Sequence, residues 1–160
     1  MSVNGTAEAD STDKPAGARV VVWRPLDALI PFVNNARTHS EAQVALIAGS
    51  IREFGFNSPV LVDGSNGVIA GHGRIMAARK LGLSAVPVIE LGHLTDARKR
   101  AYIIADNKLA EQAGWDRQML ALEAGELHSL GIDLQALGFD AGEARDLLRH
   151  GKPVADDPAK

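Results

Sequence analysis

The sequence predicts an α+β domain with a small mixed β-sheet packed with helices, followed by a helical appendage. Three observations lead there. Short β-branched runs at residues 19–23, 60–62, 68–70 and 86–91 are interspersed with longer stretches of helical period. One of these runs, Val68-Ile69-Ala70, feeds through Gly71-His72-Gly73 into good helix formers, the strand–turn–helix unit around which the chain is organised. Residues 116–150 then carry helical patterning alone.

Taken in order, residues 1–18 are Ala, Gly, Ser, Thr, Asp and Pro with scarcely any apolar bulk, which reads as a disordered tail. Residues 19–23 form the first strand, ended by Pro25. Residues 26–32 read as a short apolar connection with one helical turn. Ser40 and Gln43 have capping-box spacing ahead of Val44, Ile47, Ala48, Ile51 and Phe54 at helical period, and Gly55 stops that helix. Residues 60–62 and 68–70 form a hairpin around the 63–67 loop. The next helix is expected from Arg74 to Leu81, with Gly82 as its C-terminal cap. Pro87 marks the 86–91 strand as an edge or a strand start.

Thr95 or Asp96 caps a long helix to about Ala113, with Ala97, Ala101, Ile104 and Ala105 on one face. After the break at Gly114, residues 116–130 form an amphipathic helix through Met119, Leu122, Leu127 and Leu130. Asp140 and Glu143 then cap a short helix ending near Arg149. Residues 151–160 read as a linker. The expected division is thus 1–18 tail, 19–115 sheet domain, 116–150 helical appendage and 151–160 linker.

Composition bounds the function. A chain of 160 residues holds one domain and its appendages, and its net charge of −3 gives no overall attraction to nucleic acid. Any such contact has to come from a local cluster such as Arg98-Lys99-Arg100 with Arg79-Lys80. Cysteine is absent, which excludes disulfides and thiolate chemistry. No run reaches the ~20 apolar residues of a membrane span, and the start lacks the pattern of a secretory signal. The expectation is a cytoplasmic protein with no membrane partner.

The candidate chemistry centres on the glycine turn. A helix N-terminus presents unpaired N–H groups and the positive end of the helix dipole, and Arg74 in the first turn adds a guanidinium suited to bidentate phosphate contact. Gly71 and Gly73 permit close backbone approach, or simply turn the chain. His72 offers a proton shuttle, a phosphate contact or a metal ligand. Arg37, with His39 and Glu41 close by, precedes the first long helix; capping alone explains Ser40 and Glu41. Asp106-Asn107 within a helix has poor propensity, so either a ligand holds it or it lies on a solvated face near a bend.

These stretches together resemble the ParB N-terminal domain, whose fold is shared with sulfiredoxin. The resemblance runs from about Val20 to Trp115. It is carried by Gly71-His72-Gly73-Arg74, where ParB has Gly-Glu-Arg-Arg and sulfiredoxin Gly-Cys-His-Arg, and by Val86-Pro87-Val88-Ile89 beyond it. Asn35-Ala36-Arg37 stands for the family's Asn-Pro-Arg. Gly55 and Pro59 match Gly-x-x-Gln-Pro, with Ser58 in place of glutamine. Asp106-Asn107 stands near the family's Glu-Asn-Leu-Gln-Arg. The whole pattern is most like the ParB-like nuclease domains of plasmid, phage and DNA-methyltransferase-associated proteins, although no methyltransferase motif is present.

The resemblance implies a nucleotide-binding domain for CTP or ATP with Mg²⁺. Arg37, Ser58, Gly71, His72, Gly73, Arg74 and Asn107 would hold the nucleotide, with Asp106 and Asn107 at the metal. Hydrolysis, if any, would be slow and switch-like, because no strong general base is evident. The other readings are a metal-dependent nuclease or phosphotransferase using His72, Glu41 and Asp106, and a non-catalytic adaptor for DNA or protein. Nucleotide, DNA and a second copy of the chain are the expected partners.

Overall fold

The computed structural model of the chain describes residues 19–151. The expectations for 1–18 and 152–160 lie outside the described residues. Four strands form one mixed sheet: β1 (Val21–Pro25), β2 (Val60–Val62), β3 (Val68–Ala70) and β4 (Ala85–Glu90), in the order β1-β4-β2-β3. β1 is antiparallel to β4, β4 is parallel to β2, and β2 is antiparallel to β3. Three helices accompany the sheet: α1 (Glu41–Phe54), α2 (His72–Lys80) and α3 (Asp96–Gln112).

The sheet closes its core by alternation. Val60, Val62, Val86 and Val88 are wholly buried, two residues apart on their strands, so they share a face. Leu26, Leu29, Val68, Ile75 and Ala78 complete that cluster. At roughly 1.5–3 kcal/mol for each large side chain fully buried, this layer is the main stabilising element of the domain. A second layer joins α1 to α2 through Val44, Ala48 and Ala77, with Ile47, Ile51 and Leu81 around them. α2 is thereby held on one side by the sheet and on the other by α1.

The C-terminal part, α4 (Arg117–Ser129), a 3-10 turn (Leu134–Leu137) and α5 (Ala141–His150), has its own apolar cluster of Ala121, Ala124, Leu134, Ala144 and Leu147. Asp140 and Glu143 form the reciprocal capping box that their spacing predicts. The 3-10 turn has no counterpart in the sequence reading.

Several expectations need correction. β4 is an interior strand despite Pro87. Pro25 pairs with Ala85 and Pro87 with Trp23, so both prolines fall in the same alternate class of antiparallel pairs, the class that exchanges no hydrogen bonds. On the other side of β4, Leu91 donates to the Val62 carbonyl at 2.7 Å. The pairing of β4 with β2 begins at Val88, one residue past Pro87, so the missing proline N–H falls outside those pairs.

Helix faces also differ. α3 turns Ile103 inward and leaves Ala97, Ala101, Ile104 and Ala105 exposed. α4 buries Ala121 and Ala124, while Met119, Leu122 and Leu130 face outward and Leu127 is half-buried. Ser40 caps α1 as expected, its hydroxyl accepting from the Gln43 N–H, but the Gln43 side chain turns to His39 instead of closing a capping box.

Candidate functional site

The glycine turn is tighter than its sequence implies. Gly71 alone is the turn residue, with φ of 107°, and α2 already begins at His72. A left-handed backbone at this point suits glycine. The N-cap has no side-chain acceptor and the first turn carries no acidic residue. The first intrahelical bond runs from the Ile75 N–H to the Gly71 carbonyl, so the N–H groups of His72, Gly73 and Arg74 have no intrahelical partner. Gly73 is buried rather than open: a Cβ there would lie 3.0 Å from the His39 ring and from Ile47. It lets α2 pack closely on α1.

Arg74 is half-buried, and its Nη1 donates to the Ser58 carbonyl at 3.0 Å. Burial pushes the Arg74 guanidinium below its ordinary value, and the nearby Asp106 carboxylate opposes that shift.

His72 is committed differently from what its position suggests. The Phe32 N–H donates to His72 Nε2 at 3.2 Å, which makes the ring neutral with its proton on Nδ1. Burial, reinforced by the His39 ring, holds its pKa below the ordinary value. A general base needs a vacant nitrogen, so that role for His72 does not fit. The ring instead ties residues 32–37 to the start of α2.

A cavity of about 220 Å³ opens at this point, lined by Arg37, His39, Gly71, His72, Gly73, Arg74, Asp106 and Asn107, together with Asn35 and Gln43. Four segments supply it: residues 35–39, α1 through Gln43 and Ile47, the end of β3 with the start of α2, and the middle of α3. Glu41 and Ser58 stand apart from the other candidates. Glu41 lies in the first turn of α1, and neither side chain lines the cavity; Ser58 contributes its carbonyl alone.

Asn107 uses its amide N–H on the Ile103 carbonyl at 2.8 Å. Asp106 is then the one carboxylate at the cavity wall. Among the described residues no three metal-ligating side chains cluster. The donor set therefore fits a Mg²⁺ carried mainly by phosphate oxygens and water, with a single protein carboxylate, rather than an all-protein cage.

Beside the first cavity lies a second groove of about 270 Å³ between residues 32–37 and α3, sharing Arg37 and Asn107 with it. Phe32, Ile103 and Ile104 give it an apolar floor; Arg100, Lys108 and Glu111 supply charge. Sequence reasoning missed Gln43, Phe32 and Glu111. Glu111 lies four residues beyond Asn107, a spacing that puts both on one helix face.

The fold and this cavity define a class: α+β domains with an arginine-lined pocket where a glycine leads a strand into a helix. A family model for the ParB N-terminal domain matches residues 10–108, and the chain belongs to that family. It is 52% identical over 80 residues to the ParB-like nuclease domain-containing protein YnaK of Escherichia coli (strain K12), covering 50% of this chain and 92% of that protein. Among solved structures, the C-terminally truncated chromosome-partitioning protein ParB from Caulobacter crescentus, complexed with CTP-gamma-S, has a TM-score of 0.66 at 23% identity, covering 81% of this chain and 77% of that one. Sulfiredoxin from Arabidopsis thaliana has a TM-score of 0.45 at 24% identity, over 52% of this chain and 97% of that one. The family resemblance read from the motifs and the small mixed sheet are thus both borne out.

Proposed function

We propose that the chain is a nucleoside-triphosphate-binding domain, with CTP as the first candidate and ATP the second, that acts in a DNA-associated process. One observation carries the reading: Arg37 and Arg74 line one cavity with the start of α2, whose first N–H groups have no intrahelical partner. Backbone donors and the helix dipole favour an anion there, and two guanidiniums in a partly water-excluded cavity suit a polyphosphate better than a single carboxylate. The Caulobacter protein of the same fold, in complex with a CTP analogue, supports CTP over other nucleotides. Its description as a chromosome-partitioning protein supports a DNA-linked role, with plasmid or phage partition and DNA modification as the settings that fit.

In this reading Arg74 is pre-oriented by the Ser58 carbonyl, Arg37 closes over the phosphates from the opposite wall, and Asp106 faces a Mg²⁺ that arrives with the triphosphate. When bound, that ion would neutralise phosphate charge. With its Nε2 taken up by the Phe32 N–H, His72 does not act as the base, so hydrolysis would be slow and the bound state would act as a switch. The name of the YnaK relative favours a second reading, a metal-dependent nuclease.

Calorimetric titration of CTP, ATP and GTP, with and without Mg²⁺, separates the two. The proposal predicts micromolar, Mg²⁺-dependent binding of one nucleotide, abolished by Arg74→Ala. Flat titrations for all three, together with metal-dependent plasmid nicking that needs no nucleotide, would replace it with the nuclease reading.

A further inference from the structure

α3 is fastened to the rest of the chain along one line of residues. Lys99 Nζ meets Asp63 Oδ2 at 2.8 Å, Ile103 is buried, and Asn107 lines the phosphate cavity. Past Asn107 every residue of α3 is exposed. Among the described residues, one ion pair ties this last stretch to another element: Glu111 Oε1 to Arg37 Nη1 at 3.2 Å. The other oxygen, Glu111 Oε2, pairs with Lys108 at 3.3 Å. One carboxylate thus presents its two oxygens to two cations, as a phosphate would. Arg37, like Asn107, lines both cavities, so whatever holds its guanidinium shapes the wall of the phosphate site.

We infer that Glu111 is an internal competitor of the polyphosphate ligand, an inference that rests on the nucleotide reading above. Without ligand its carboxylate neutralises Arg37 and Lys108; a bound triphosphate, carrying several negative charges, takes Arg37 in its place. Arg37 and Glu111 are both substantially solvent-exposed at the side chain, 41% and 51%. An ion pair so exposed is weak and is readily given up to a stronger anion. Glu111 therefore sets the affinity of the pocket without touching the ligand.

The test is calorimetric titration of CTP with Mg²⁺ into the full chain and into Glu111→Gln, Arg74→Ala and Arg37→Ala, the last also combined with Glu111→Gln. Glu126→Gln, on α4, controls for the loss of one negative charge. Glu111→Gln is expected to bind about two- to fivefold more tightly than the unaltered chain. That gain should shrink in the Arg37→Ala background and be absent in Glu126→Gln. Equal affinity for the unaltered chain and Glu111→Gln, with binding still lost in Arg74→Ala, would overturn the inference and leave the nucleotide reading standing. Weaker binding by Glu111→Gln would also overturn it, making Glu111 a residue that positions Arg37. No binding by any of these proteins would remove both.

Discussion

His72 shows how a single hydrogen bond reassigns a residue. Its Nε2 accepts from the Phe32 N–H, and the site holds the ring neutral by burial and by the adjacent His39. Because the folded pKa lies below the ordinary 6.5, the unfolded chain takes up this proton first, and stability is lost as pH falls from about 6.5 through the folded value. Urea unfolding at pH 8, 6.5 and 5 is expected to show this decline. His72→Gln, which keeps an acceptor and cannot titrate, is expected to flatten it; an unchanged slope would assign it to other groups. At Gly73 the prediction is steric. Gly73→Ala places a methyl group against His39 and Ile47 and should cost about 1–3 kcal/mol in the same assay. The sequence exposed the candidates at this scale because Arg37, Gly71, Arg74, Asp106 and Asn107 sit in local motifs. It hid the bond to Phe32 and the pairing with Glu111, which join positions 40 and 74 residues apart.

At the scale of elements, the hairpin and α3 are coupled through Asp63. Its carboxylate receives the N–H groups of Ser65 and Gly67, each at 2.8 Å, and the Lys99 ammonium, also at 2.8 Å. Burial alone would raise its pKa, but Lys99 and the two backbone donors together bring it below the ordinary 3.8. The stability it adds is present above that value and is lost as pH falls through the lower folded pKa. A double-mutant cycle of Asp63→Asn and Lys99→Met is expected to return a coupling of about 1 kcal/mol, with faster amide exchange in α3; no coupling would mean that Ile103 alone seats the helix. Strands and caps were legible in the sequence because the valine alternation and the capping residues act locally. The buried faces of α3 and α4 were not, since alanines and leucines mark more than one face and the neighbouring element decides which is covered. Pro87 misled for a related reason: its tolerance inside the sheet depends on pairing parity with β1.

For the molecule as a whole, two apolar centres divide the labour: the sheet layer joined to the α1–α2 layer seats the start of α2 at the cavity, and α4 and α5 pack around Leu147. Leu147→Ala is expected to destabilise the C-terminal cluster by about 2–5 kcal/mol while leaving nucleotide affinity unchanged, read by amide exchange beside calorimetry. A matching loss of affinity would show that the two centres are coupled. The family was legible in the motifs, yet the cavity itself was not, because residues 35–39, 71–74 and 106–107 meet only when the chain has folded. The most direct test of the account follows from that meeting. Backbone amide shifts should be recorded by NMR while CTP and Mg²⁺ are added. The account predicts that the largest changes fall together at Gly71, His72, Gly73 and Arg74, with Arg37 and Asn107 following, and that Arg74→Ala silences them. Saturable CTP binding that leaves the 71–74 amides unmoved would contradict the placement of the phosphates at the start of α2.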